Sequence, residues 1–389
     1  DALGRWFDRR FNWETPVGIA ERRIDGGLLV QTPVSSFGVS GGVDRCFRYL
    51  AESLRPIETT PDVRNYRPSG IDEILQRKYA DPLDGARMLA TLMAAQDMHA
   101  DIVVYPRDRR RMASDVPVLD GMDGIAVVVS GSDGREIWLD PANFCGPAGW
   151  FFHGAGVRGI RFSQGRAVPV ELPVPPAGVS VSRRDVRMNV QHDGSAIGEL
   201  EWSVSGDYAA AVLCENENRS LRERFQAWSR ELNRGVFPMT LAENDLSNND
   251  TLHHMTLHFH ADWAGLITGD MMVVTVTDIP IESIRRDAPP IPPGRMHSID
   301  LGSPALETLT VEYRFPDEYE ILAWPSDQKV VTGDVVCLQR IEKGDHTIRL
   351  RRQIRWLTPV VTPKACRSVY DTISHITGES ENLILLRKR

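Results

Sequence analysis

The chain has 389 residues, 42% of them hydrophobic, and a formal net charge of −8 at pH 7, which suits a globular protein with two or three sizeable cores. The acidic balance gives no reason to propose a nucleic-acid partner, and no stretch is long and apolar enough to span a membrane. The five cysteines (Cys46, Cys145, Cys214, Cys337 and Cys366) form no Cys-x-x-Cys pair, and their odd number excludes complete pairing within the chain.

No signal peptide is visible from Asp1, and the missing initiator methionine suggests a processed or trimmed product. Residues 1–65 read as an approach segment anchored by Trp6, Phe7, Phe11 and Trp13, with an amphipathic helix over 44–54. A short helix over 71–77 leads to Asp81-Pro82-Leu83-Asp84. Asp81 can cap a helix, Pro82 suits its first turn, and Asp84 adds charge at the positive end of the dipole. That helix continues through Ala86, Met88, Leu89, Leu92 and Met93, apolar on nearly all sides, so it is expected to be buried.

Strands are expected over 100–105, 125–130 and 135–139, the last two joined by a turn at Asp133-Gly134. A glycine-rich loop over 146–159 and strands over 158–162 and 166–172 close this part. Pro173-Val174-Pro175-Pro176 marks a boundary. Beyond it, 186–190, 196–204 and 252–260 alternate at period two, and a capping box at Ser220 and Glu223 opens one helix. Pro289 to Pro293 reads as a linker or an extended surface crossing. Strands over 308–315, 319–323, 334–341 and 346–354, a helix over 363–376 and a strand over 382–386 complete a sandwich-like end. The basic runs Arg107 to Arg111 and Arg349 to Arg352 read as solvated faces.

Three landmarks carry a family resemblance. Lys78-Tyr79-Ala80-Asp81-Pro82-Leu83-Asp84 resembles the nucleophile helix of bacterial transglutaminase-like proteins, in the papain-like cysteine superfamily, with Pro82 at the cysteine position. Met122-Asp123-Gly124-Ile125-Ala126-Val127 resembles the strand that opens on the histidine, with Gly124 at its place. Trp138-Leu139-Asp140-Pro141 keeps the aspartate. A similar C-terminal β-domain is suggested by Ile299-Asp300-Leu301-Gly302, Pro316-Asp317-Glu318-Tyr319 and Leu385-Leu386-Arg387-Lys388. The resemblance implies an α+β chain: a transglutaminase-like core of buried helix and small antiparallel sheet, followed by β-sandwich-like domains. It also implies residence in the bacterial periplasm or outside the cell.

The chemistry needs a thiolate activated by an imidazole, and neither proline nor glycine supplies one. Asp140 then has no histidine to orient. No catalytic residue is therefore expected at Pro82, Gly124 and Asp140. Cys145 and His153 form an alternative nucleophile–base pair. His254, His258 and His260 share one strand face, but His254 and His258 stand about 13 Å apart, too far for one ion. Asp81, Asp84, Asp123 and Asp140 could converge on acid–base work, although each also suits a cap or a turn. The sequons at Asn218 and Asn249 carry no weight.

The expected division is 1–65, 66–175, 178–288 and 296–389. The expected function is a non-catalytic scaffold or binding subunit with a protein partner, without cofactor or metal, whose old cleft could hold a peptide. Two alternatives are an active cysteine hydrolase or amide transferase using Cys145 and His153, and a carbohydrate-binding module using Trp202, Trp263, Trp324 or Trp356.

Overall fold

The computed structural model describes residues 2–11, 41–57, 59, 66–107, 121–131, 134–143, 148–149, 151, 154–216, 219–232, 239–242, 254–276, 298–377 and 382–389. Trp13, most of the basic run at Arg107, Asp133, Pro289 to Pro293 and both sequon asparagines lie outside the described residues. The molecule is α+β, and it divides into two compact units, Asp1–Val174 and Pro175–Arg389.

The first unit opens with α1 (Ala2–Phe11), α2 (Gly41–Ser53), β1 (Arg55–Pro56), α3 (Ile71–Arg77), β2 (Tyr79–Ala80) and α4 (Pro82–Ala94). A sheet follows, made of β3 (Ala100–Tyr105), β4 (Gly124–Ser130), β5 (Glu136–Leu139), β6 (Arg158–Ser163) and β7 (Arg166–Glu171), in the order β5-β4-β3-β6-β7 with every pair antiparallel. Strand side chains alternate between faces, so a strand covered on both sides reads as one continuous apolar run. All six residues of β3 are buried for that reason. Ile102, Val104, Ile125, Val127 and Leu139 pack with Leu83, Ala86, Leu89 and Met93 of α4. Val103, Tyr105, Ala126, Val128 and Trp138 form a second core with Phe151, Val157 and Leu172.

The N-terminal residues are not a separate approach segment. Phe7 of α1 stacks on Phe162 of β6 with ring centroids 3.8 Å apart. A Cβ at Gly4 would stand 2.3 Å from the Gly165 carbonyl oxygen, so only glycine lets α1 settle on the β6–β7 turn. The expected division at residue 65 is thereby corrected, because α1 shares the core of α4 and the sheet.

The second unit contains β8 (Val181–Val190), β9 (Ala196–Ser205), α5 (Asp207–Asn216), α6 (Leu221–Leu232), β10 (Thr240–Leu241), β11 (His254–Ala261), β12 (Gly265–Thr268) and β13 (Met271–Thr275). It continues with β14 (Ile299–Asp300), β15 (Ala305–Arg314), β16 (Tyr319–Ala323), β17 (Gln328–Val331), β18 (Val335–Lys343), β19 (Thr347–Trp356), β20 (Val360–Val361), α7 (Pro363–Thr377) and β21 (Leu383–Lys388). An eight-stranded sheet, β10-β11-β9-β8-β15-β19-β18-β17, faces a four-stranded sheet, β12-β13-β21-β16. Val186, Leu200, Leu309 and Leu350 from the first share one core with Met272, Val274, Ile384 and Leu386 from the second, which makes a two-layer sandwich.

The expected division between 178–288 and 296–389 is absent. β8 pairs in parallel with β15, and β13 pairs antiparallel with β21, so backbone hydrogen bonds join the two stretches into the same sheets. The basic run on β19 is also not one solvated face: Arg351 is exposed, whereas Arg352 is 4% exposed and donates to Gln339 Oε1 at 2.9 Å. Among the described residues no helix is long and apolar enough to cross a membrane.

Candidate functional site

The site suggested by the sequence begins at the first turn of α4. Asp81 is its N-cap, with extended backbone, and its Oδ1 accepts a hydrogen bond from the Asp84 N–H at 2.8 Å. Pro82 occupies the first turn and is buried. Asp84 is fully buried; its Oδ1 accepts from the Ser69 N–H at 2.7 Å and its Oδ2 takes the Arg77 guanidinium. Arg77 also donates to Ser69 Oγ at 3.2 Å and lies 4.7 Å from the centre of the Tyr79 ring. Arg87 donates to the Ser69 carbonyl at 2.9 Å, and burial lowers its pKa. The positive end of the helix dipole would lower the pKa of a thiol at this spot. In this chain two carboxylates already use it.

The second position lies on β4. Gly124 pairs with Tyr105, and a Cβ at Gly124 would stand 2.4 Å from the tyrosine ring. The side-chain direction of Gly124 is therefore toward the Tyr105 core, on the sheet face opposite α4. Tyr105 is 1% exposed and meets Phe151 edge-on at 5.5 Å. Burial pushes its hydroxyl well above the usual tyrosine range, the Asp140 charge adds to that, and Arg107 opposes it.

Asp140 and Asp123 sit at the same end of this ladder. The β4–β5 register sets Val127 opposite Leu139, so Asp140 follows immediately beyond the paired residues. Asp140 is 2% exposed, and its Oδ1 accepts from the Ala142 N–H at 2.9 Å in an Asx turn. Asp123 Oδ1 accepts from the Arg107 N–H at 2.6 Å. The structure thus groups Asp123, Asp140 and Tyr105, and separately groups Asp81, Asp84, Ser69 and Arg77. A peptide reaching Gly124 would have to displace Tyr105. The sequence reading missed Tyr105 and Arg77; the available signal for Tyr105 was a glycine opening one apolar strand after a tyrosine closing the previous one.

The other candidates divide. Cys145 and His153 lie outside the described residues. Cys46, Cys337 and Cys366 are buried free thiols. Burial pushes Cys46 and Cys337 up to about 11. His254, His258 and His260 are exposed on the outer face of β11, with Met255, Leu257 and Phe259 buried behind them. His258 lies 3.4 Å from Glu199 and His260 lies 3.2 Å from Asp262. Among the described residues no group of three or more histidine, cysteine or acidic side chains could hold a metal ion. Trp202 and Trp356 are 3% and 7% exposed and belong to the core, whereas Trp263 and Trp324 are 62% and 43% exposed.

No family model matches the chain. It is similar to a UPF0301 protein of Mycolicibacterium vanbaalenii, with 32% identity over 98 residues, covering 24% of this chain and 49% of that one. A UPF0301 protein of Mycolicibacterium gilvum is 30% identical over 97 residues, covering 24% and 48%. The chain thus spans about half the length of the curated relatives it matches. Among solved structures, a crystal structure of a "putative protease" from Parabacteroides distasonis superposes with a TM-score of 0.56 at 14% identity, over 99% of this chain and 58% of that one. At that identity the likeness concerns the fold.

Proposed function

We propose that this chain is a non-catalytic binding or scaffold subunit built on a transglutaminase-like core, acting on a protein partner in a bacterial envelope or extracellular assembly. The carrying observation is the first turn of α4. Pro82 presents no nucleophilic atom, Asp81 takes the Asp84 N–H of the first turn, and the Asp84 carboxylate is already held by the Ser69 N–H and Arg77. Gly124 adds to this, since its would-be side chain meets Tyr105 rather than α4. A fold outlives the site it once carried, so a complete core without a nucleophile is compatible with a retained binding role.

The runner-up is a cysteine hydrolase or amide transferase using Cys145 and His153. Alkylation of the native full chain with iodoacetamide at pH 7 separates the two readings. The scaffold reading expects no cysteine to react faster than an ordinary exposed thiol, and no change on His153→Ala. A Cys145 that reacts far faster, and loses that speed on His153→Ala, would establish the enzyme. A third reading, carbohydrate binding, is favoured only by the exposure of Trp263 and Trp324.

A further inference from the structure

The outer face of the eight-stranded sheet divides by charge. Toward β8, β9 and β11 the charges neutralise one another: Arg183 pairs with Asp185 at 2.6 Å, Arg187 with Glu199 at 2.9 Å, and His258 with Glu199 at 3.4 Å. Toward β17, β18 and β19 Arg349 stands between Glu312 and Glu342, but four further cations have no such neighbour directly opposite. Alternation turns Cys337, Gln339, Leu350 and Arg352 inward, and Val336, Leu338, Arg340, Arg351 and Arg355 outward. The register sets Arg340 directly opposite Arg351, Val336 opposite Arg355, Lys329 opposite Leu338 and Val331 opposite Val336.

Lys329, Arg340, Arg351 and Arg355 are all exposed, and none forms a side-chain ion pair or hydrogen bond with another described residue. Directly opposite residues have Cβ atoms roughly 5 Å apart, and like charges there destabilise a sheet. A chain with net charge −8 has carboxylates to spare, yet leaves these cations unmatched. Between them lie apolar side chains, with Val331 59% exposed and Val336 and Leu338 half-buried. β17 is the last strand of the sheet order, so its outer backbone groups face no further strand among the described residues.

We propose that the outer face of β17, β18 and β19 docks an acidic, partly apolar polypeptide segment lying across that face. The arginines match carboxylates, since a guanidinium accepts them in bidentate fashion. Val331, Val336 and Leu338 match apolar side chains placed between those acids. An extended polyanion such as nucleic acid or an anionic bilayer fits less well. It would offer nothing to the apolar residues, and would meet Asp185, Glu199, Glu201 and Glu312 on the same face. The proposal goes beyond the scaffold reading and stands whether or not the first unit has an activity.

The test uses the full chain and a short fluorescein-labelled peptide of alternating Glu and Val, followed by fluorescence anisotropy. The wild type is expected to bind it with an affinity that falls as salt rises, and to ignore the Lys–Val counterpart. R340Q/R351Q should bind about tenfold more weakly or worse. It should keep or raise its melting temperature, because the like-charge pair is gone. R183Q, which removes a cation already paired, should bind as the wild type does. Absence of binding by the wild type, or equal binding by R340Q/R351Q, overturns the proposal. So does loss of the peptide's advantage to heparin or to phosphatidylglycerol vesicles at the same arginines, which would assign the patch to a polyanion.

Discussion

At the residue scale, the Tyr105 ring lies over Gly124 from the neighbouring strand, where a Cβ would meet it at 2.4 Å. Gly124→Ala relieves backbone entropy by about 0.5–1 kcal/mol, but overpacking a buried contact costs about 1–3 kcal/mol, so net destabilisation is expected. Tyr105→Ala opens a cavity and should cost about 3–5 kcal/mol. In the Tyr105→Ala background, Gly124→Ala should cost almost nothing. Urea unfolding of the four proteins measures this coupling, and strictly additive costs would refute the contact. The thiols give a second expectation. Burial raises Cys46 and Cys337 to about 11 from an ordinary 9.0. The folded state thus favours the protonated thiol over the unfolded state, so the contribution is complete below pH 9 and disappears as pH climbs through about 11. Each thiol accounts for at most about 3 kcal/mol. Stability measured from pH 8 to 11 should fall less steeply in C46A/C337A than in the wild type; parallel curves would count against it.

Individual elements were legible to different degrees, and the reasons are physical. α4 could be read because its cap, first-turn proline and all-round apolar surface are local features. β11 could be read because polar and apolar residues alternate along it without exception. α1 was read only as a set of anchors: a ten-residue helix is marginal alone, and packing of Gly4 and Phe7 on the β6–β7 region holds it. β8 was read from residue 186, whereas it starts at Val181. Arg183 and Arg184 hide the alternation, because Arg184 faces inward and is 7% exposed, 3.7 Å from the buried Glu307. Arg352 on β19 deceives in the same way, with Gln339 as its partner. α5 and the β12–β13 hairpin escaped notice because each is short and depends on the sandwich core for its burial.

At the scale of the whole molecule, the two units are the elements of stability. One core runs through the second unit alone, and the two others through the first. Residues 175–389 expressed by themselves are therefore expected to unfold in one cooperative transition followed by circular dichroism. Residues 178–288 by themselves are expected to remain unfolded, since β8 loses β15 and β13 loses β21. Cooperative unfolding of the shorter piece would restore the division at the proline-rich stretch. The sequence alone determined that a buried capped helix precedes a small sheet, that strands dominate the second half, and that Pro82 occupies the first turn of α4. Those are properties of neighbouring residues, and side-chain chemistry expresses them without help from the fold. Only the tertiary structure decided that Tyr105 fills the space at Gly124, that three expected divisions reduce to one, and that cations unmatched on β18 and β19 gather on one face. Each of these depends on strand pairing between residues far apart in the chain, and no local pattern of amino acids specifies which strands will meet.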